Sequence, residues 1–259
     1  MKKTVIIISI ICLLSMIAAT SAIYTKTPIG INSAEINATN FIDNSNTDIE
    51  YLYEQNYDIG EYYVFKTGNG QIYVNKYSGL VERASFSNAK ETSKKVLIDS
   101  SESIKIGEEY AKEKYNGFEK MNMKITYSEL LDHADAGYEY SYVWRESLNG
   151  VFTPNSVAID INPESGEITS YIGIHREINC NTEPKVSEDK AITIAKEQFP
   201  QIKIKEQNCY LSIEYTKADT QTLTWVIYLE GEPVNDTPYG GLVIINAITG
   251  EVILESPLC

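Results

Sequence analysis

Only a few residues in this chain have the chemistry for a reactive site. Asp132-His133-Ala134-Asp135 places three ligand-type side chains in one short stretch, a pattern that suits either a divalent cation or a solvated turn between strands. Hard-cation sites usually gather more oxygen ligands than this, which favours the turn. His175, beside Arg176 and Glu177, is the only other histidine, and it reads as an exposed polar residue rather than a base. His-Glu-x-x-His, Gly-x-Ser-x-Gly and phosphate-cradling glycine loops are all absent, so zinc peptidase, serine hydrolase and nucleotide chemistry each lack their core motif. The expectation is a protein that is not an enzyme, with no catalytic residue, no metal and no cofactor.

Composition points the same way. The 259 residues carry 36 Asp and Glu against 22 Lys and Arg, a net charge of −14. A surface of that sign repels phosphate, which argues against nucleic acid and anionic membranes as partners. Lys2 and Lys3, the apolar run Val5–Ala19 and the small residues Thr20-Ser21-Ala22 form an export signal over 1–22. The run is 15 residues, against the roughly 20 of a spanning helix. Cleavage is favoured, and removing the two lysines takes the charge from −14 to −16. An uncleaved segment would be the only membrane contact. The chain is therefore expected outside the cell or in its envelope.

Export permits disulfides. Beyond Cys12 in the signal, three cysteines remain, Cys180, Cys209 and Cys259. A Cys180–Cys209 bridge, or one from either to Cys259, is one reading, and buried thiols acting as small hydrophobes are the other. Cys259 is the one left to link two chains. Asn37-Ala38-Thr39 and Asn235-Asp236-Thr237 are sequons, weak markers of surface.

The elements that must position these residues come from an internal repeat. Ser103–Tyr115 aligns with Ser187–Phe199 at an offset of 84, and Ile159–Ile168 aligns with Val243–Val252 at the same offset. In each copy a Ser-capped helix with an apolar face is followed by period-two strands. Each closes with a hairpin whose glycine, Gly166 or Gly250, takes a positive φ. A partial third copy, Tyr62–Phe65 and Ile72–Val81, repeats the strands and the Ser-Gly hairpin without a visible helix. The fold class is α+β, in tandem units of one helix on an antiparallel sheet of about four strands. The expected layout is a linker at 23–49, a mostly β partial repeat at 50–97, and full repeats at 98–181 and 182–259.

The capped helix with paired small residues, the aromatic strand and the hairpin of form Asn-x-x-Ser/Thr-Gly-Glu resemble the PepSY domain. The matching residues are Ala191, Ala195, Trp225, Asn246, Thr249, Gly250 and Glu251, and in the earlier copy Gly107, Ala111, Trp144, Asp160, Ser165, Gly166 and Glu167. Trp144 and Trp225 do not share the offset; position 228, a tyrosine, stands opposite Trp144. The resemblance implies a noncatalytic module that binds and restrains a secreted or envelope peptidase in trans. A structural or ligand-binding surface protein is the alternative.

Tyrosine supplies the candidate contact surface. Tyr138, Tyr140, Tyr142 and Trp144 alternate along one strand, so they form a single row that is either core or exposed. If exposed, the row is a protein-binding face, since Tyr and Trp are enriched at hot spots.

Overall fold

The computed structural model describes residues 27–42, 48–57, 60–68, 70–86, 92–217, 220–233 and 239–258. The export signal, the Asn235 sequon and Cys259 lie outside these residues. The described chain forms two compact units, one of residues 27–146 and 155–176, the other of 147–154 and 177–258.

The N-terminal unit holds two helices, α1 (Ile31–Ile42) and α2 (Ser100–Lys114). Its strands are β1 (Ile49–Tyr57), β2 (Gly60–Thr67), β3 (Gly70–Asn75), β4 (Val81–Ser85), β5 (Met123–Asp132), most of β6 (Tyr138–Leu148) and β7 (Val151–Ile161), and β8 (Ile168–Ile174). They pair in the order β1-β2-β3-β4-β8-β7-β6-β5. The C-terminal unit packs α3 (Glu188–Gln198) on β9 (Ile204–Lys217), β10 (Thr220–Gly231), β11 (Gly240–Asn246) and β12 (Val252–Leu258), which pair antiparallel in chain order. Three helices, each packed against about four strands, give the α+β repeat architecture.

Helix α1 corrects the linker reading of 23–49 and completes the third copy. Its Asn, Ser and Thr content resembles a spacer, but Ala34 and Ala38 are fully buried. Gly107 and Ala111 in α2, and Ala191 and Ala195 in α3, are buried at the same i,i+4 spacing. Side chains four apart share one helix face, so small residues there let each helix backbone lie close to its sheet. A Cβ on Gly107 would already stand 3.1 Å from Cη2 of Trp144.

Each helix is fixed by one set of hydrogen bonds, repeated three times. In the turn after the third strand, the side-chain oxygen of Asn75 accepts from the N–H groups of Tyr77 and Ser78. Asn162 does so with Glu164 and Ser165, and Asn246 with Ile248 and Thr249. Four residues on, Gly79, Gly166 and Gly250 take φ of +73°, +74° and +80°, a region where a side chain costs roughly 1–2 kcal/mol. The carbonyl after each Asn, on Lys76, Pro163 and Ala247, accepts from Ile29, Ile98 and Val186 just before the helix. An aromatic side chain on the second strand then donates to the carbonyl of that same residue: Tyr63 to Ile29, Tyr140 to Ile98, Trp225 to Val186. Trp225 is thus the counterpart of Tyr140 rather than of Trp144. The strand register differs from the 84-residue offset by one position.

The cap of α2 also differs from the expectation. Asp99, not Ser103, accepts from the N–H of Glu102, and Ser103 is buried a turn inside the helix. Ser187 caps α3 as its sequence implies, accepting from Lys190. Replacing Asn75, Asn162 or Asn246 by alanine leaves two backbone donors without their acceptor. Each change is expected to cost about 1–2 kcal/mol, read by urea unfolding, with similar costs in all three copies.

Candidate interaction surface

The structure takes the predicted aromatic row into the core. Tyr140, Tyr142 and Trp144 are 4%, 0% and 5% exposed, and only Tyr138 is half-buried. β6 is an interior strand flanked by β5 and β7, and α2 covers this face. The Tyr142 hydroxyl donates to the carbonyl of Ser100, and Trp144 meets Phe118 edge-on. The row is therefore not a surface for a partner.

The other sequence candidates are also dispersed. His133 pairs with Glu139 through Nε2 at 3.3 Å, and Asp132 turns back to accept from the N–H of Ala134. His175 lies against the ring of Tyr115. Among the described residues no three His, Cys, Asp or Glu side chains gather where they could hold a metal ion. Cys180 and Cys209 are free thiols that pack as small hydrophobes against the core of the C-terminal unit, not a bridge. Burial, aided by Glu188, pushes the Cys209 thiol up to about 12. At pH 8 its thiolate fraction is then about a thousandfold below that of an ordinary cysteine. Iodoacetamide should label Cys209 at least about 100-fold more slowly in the folded protein than in urea, by mass spectrometry of its peptide; comparable rates would contradict this.

The exposed aromatic surface lies elsewhere, on the first copy. Side chains alternate across a strand. Tyr63, Phe65, Ile72, Val74 and Ala84 enter the core with α1, which sends Tyr62 and Val64 to the opposite face. Tyr53 stands opposite Val64, Val64 opposite Tyr73, and Tyr73 opposite Arg83. These residues share the face on which no helix among the described residues packs. Tyr57 joins them, with its ring 5.9 Å from that of Tyr62 and 6.2 Å from that of Tyr73. Tyr53 and Tyr57 are 43% and 40% exposed. Both belong to β1, which among the described residues pairs with β2 alone, so its outer backbone groups are open to another strand.

Beneath this face sits a buried charge. Glu82 is 0% exposed, and its two oxygens accept from Nη1 and Nη2 of Arg176 while Tyr62 donates to Oε2 at 2.7 Å. Burial and the neighbouring Glu82 carboxylate push the Tyr62 hydroxyl well above its ordinary value, so it stays protonated as a donor. Sequence reasoning had no signal for a pair 94 residues apart.

No protein-family model matches the sequence, and no curated protein does. Among solved structures, the C-terminal domain of YpeB from Bacillus megaterium matches with a TM-score of 0.52 at 17% identity, over 90% of this chain and 99% of that one. The two share a fold. At this identity the likeness extends to architecture alone. Within this fold, the buried small-residue pairs on the helices and the Asn-Gly turns belong to the scaffold, and the helix-free tyrosine face with the β1 edge is what the first copy exposes. No helix among the described residues is long and apolar enough to cross a membrane.

Proposed function

We propose that the chain is an exported, noncatalytic binding module of the PepSY type that engages a secreted or envelope peptidase in trans and restrains it. The observation that carries this reading is the pairing of an open β1 edge with exposed Tyr53 and Tyr57. Edge strands accept an extended segment by main-chain hydrogen bonding, and tyrosines supply much of the affinity at such contacts. Further support comes from the threefold hairpin and helix pattern, which resembles that domain, and from the fold shared with the YpeB C-terminal domain. The test is capture from the secretome on immobilised protein, followed by peptidase assays. A bound and slowed peptidase is expected; a capture set without one would refute the reading.

A second reading, a ligand-presenting surface protein, is favoured by a cleft of about 400 Å³ in the N-terminal unit. Asn37, Asn40, Lys114, Tyr115, Tyr171 and His175 are among its lining residues. A thermal-shift screen with glycans and small polar molecules distinguishes it: stabilisation by such a ligand, with no effect on peptidases, selects this second reading.

A further inference from the structure

Arg83 lies on the helix-free face, opposite Tyr73. Its guanidinium carbon stands 4.6 Å from the centroid of the Tyr57 ring, within the range of a cation–π contact. Beside it, the Glu82 carboxylate is taken up by Arg176 and Tyr62. Among the described residues Arg83 makes no ion pair, and its Nε is buried without a hydrogen-bond partner. A buried donor left in this way is costly and calls for an acceptor. The hydroxyl of Tyr73 donates to Oε1 of Gln71, and burial, then Tyr57 and Tyr53, push it up to about 12.

We propose that Arg83, with Tyr53 and Tyr57, forms a carboxylate-binding site for an Asp or Glu side chain of an extended polypeptide laid along β1. A guanidinium offers its N–H groups as a planar fork that matches a carboxylate, and tyrosine hydroxyls add donors around it. The polypeptide is the occupant because two of the tyrosines stand on the edge strand whose outer backbone is open. Tyr57, whose ring carries the Arg83 guanidinium, is one of them. This inference deepens the sheet-edge reading but does not require the partner to be a peptidase.

The test is a fluorescence-anisotropy titration of the purified protein with dye-labelled acetyl-Val-Glu-Val-Glu-Val-amide, the same peptide carrying Gln for Glu, and inorganic phosphate as competitor. The Glu peptide is expected to bind at least about tenfold more tightly than the Gln peptide, with a preference that weakens as salt rises. Arg83→Met should lower its affinity at least about tenfold and abolish the preference, with Arg83→Lys intermediate. Thermal melts establish that the variants are folded, and the Glu and Gln comparison on the native protein needs no variant. Equal binding of the two peptides, or undiminished binding by a folded Arg83→Met protein, overturns the site. Displacement of the Glu peptide by about 1 mM phosphate overturns the polypeptide as occupant in favour of a free anion. Loss of peptidase capture alongside intact peptide preference overturns the proposed function and leaves this site standing.

Discussion

Glu82→Ala is expected to destabilise the N-terminal unit by about 3–5 kcal/mol, the usual cost of stripping one partner from a buried ion pair. Removing the carboxylate leaves the Arg176 guanidinium, only 19% exposed, facing a void, and takes the acceptor from the Tyr62 hydroxyl. The desolvation of the remaining charge, rather than the lost attraction, makes the effect large. Glu82→Leu combined with Arg176→Met removes both charges and should therefore lose much less than Glu82→Ala alone. The protein offers a convenient reporter, since its two tryptophans fall one in each unit. In a Trp225→Phe background, Trp144 fluorescence in urea follows the N-terminal unit. A loss below about 1 kcal/mol for Glu82→Ala would mean that water reaches the site and screens the pair.

Tyr142→Ala is the second large effect, and it separates folding from binding. Tyr142 is 0% exposed, with its ring centroid 6.0 Å from that of Tyr140 and 5.9 Å from that of Trp144. Truncating a buried aromatic ring leaves a cavity that neighbours fill only in part, costing about 3–5 kcal/mol. The contrast is the double change Tyr53→Ser and Tyr57→Ser on the exposed face, expected to stay within about 1 kcal/mol of the native protein. Partner capture should behave in the opposite sense: lost with Tyr53 and Tyr57, and retained by whatever fraction of Tyr142→Ala is folded. Urea unfolding and capture on the same preparations check both halves. Little destabilisation in Tyr142→Ala, with capture lost, would return the β6 row to the surface.

The parts of this architecture that were legible in the sequence are those fixed by local chemistry. The Asn-x-x-Ser/Thr-Gly turn is readable because one side-chain oxygen must meet two backbone donors and one glycine must take a positive φ. The cap of α3 is readable for the same reason. Helix α1 was hidden because its Asn and Thr residues carry the composition of a spacer; the available signal was Ala34-x-x-x-Ala38, the same buried spacing found in α2 and α3. Strand alternation placed Tyr140, Tyr142 and Trp144 on one face, but choosing the face required knowing that β6 lies inside the sheet beneath α2. The Glu82–Arg176 pair and the contact of Arg83 with Tyr57 depend on long-range pairing, for which the sequence carries no periodic trace. For the same reason alternation alone points to the tyrosines of β6, whereas the exposed Tyr53 and Tyr57 lie on β1.

The central claim is that the chain restrains a peptidase by occupying it, and one titration addresses it most directly. A peptidase captured from the secretome is assayed on a peptide substrate while the purified protein is added in increasing amounts. The rate is expected to fall to a plateau as the complex saturates, and the Tyr53→Ser, Tyr57→Ser protein should leave it unchanged at the same concentrations. A rate that stays flat with the native protein, or that falls equally with the double variant, would contradict the account.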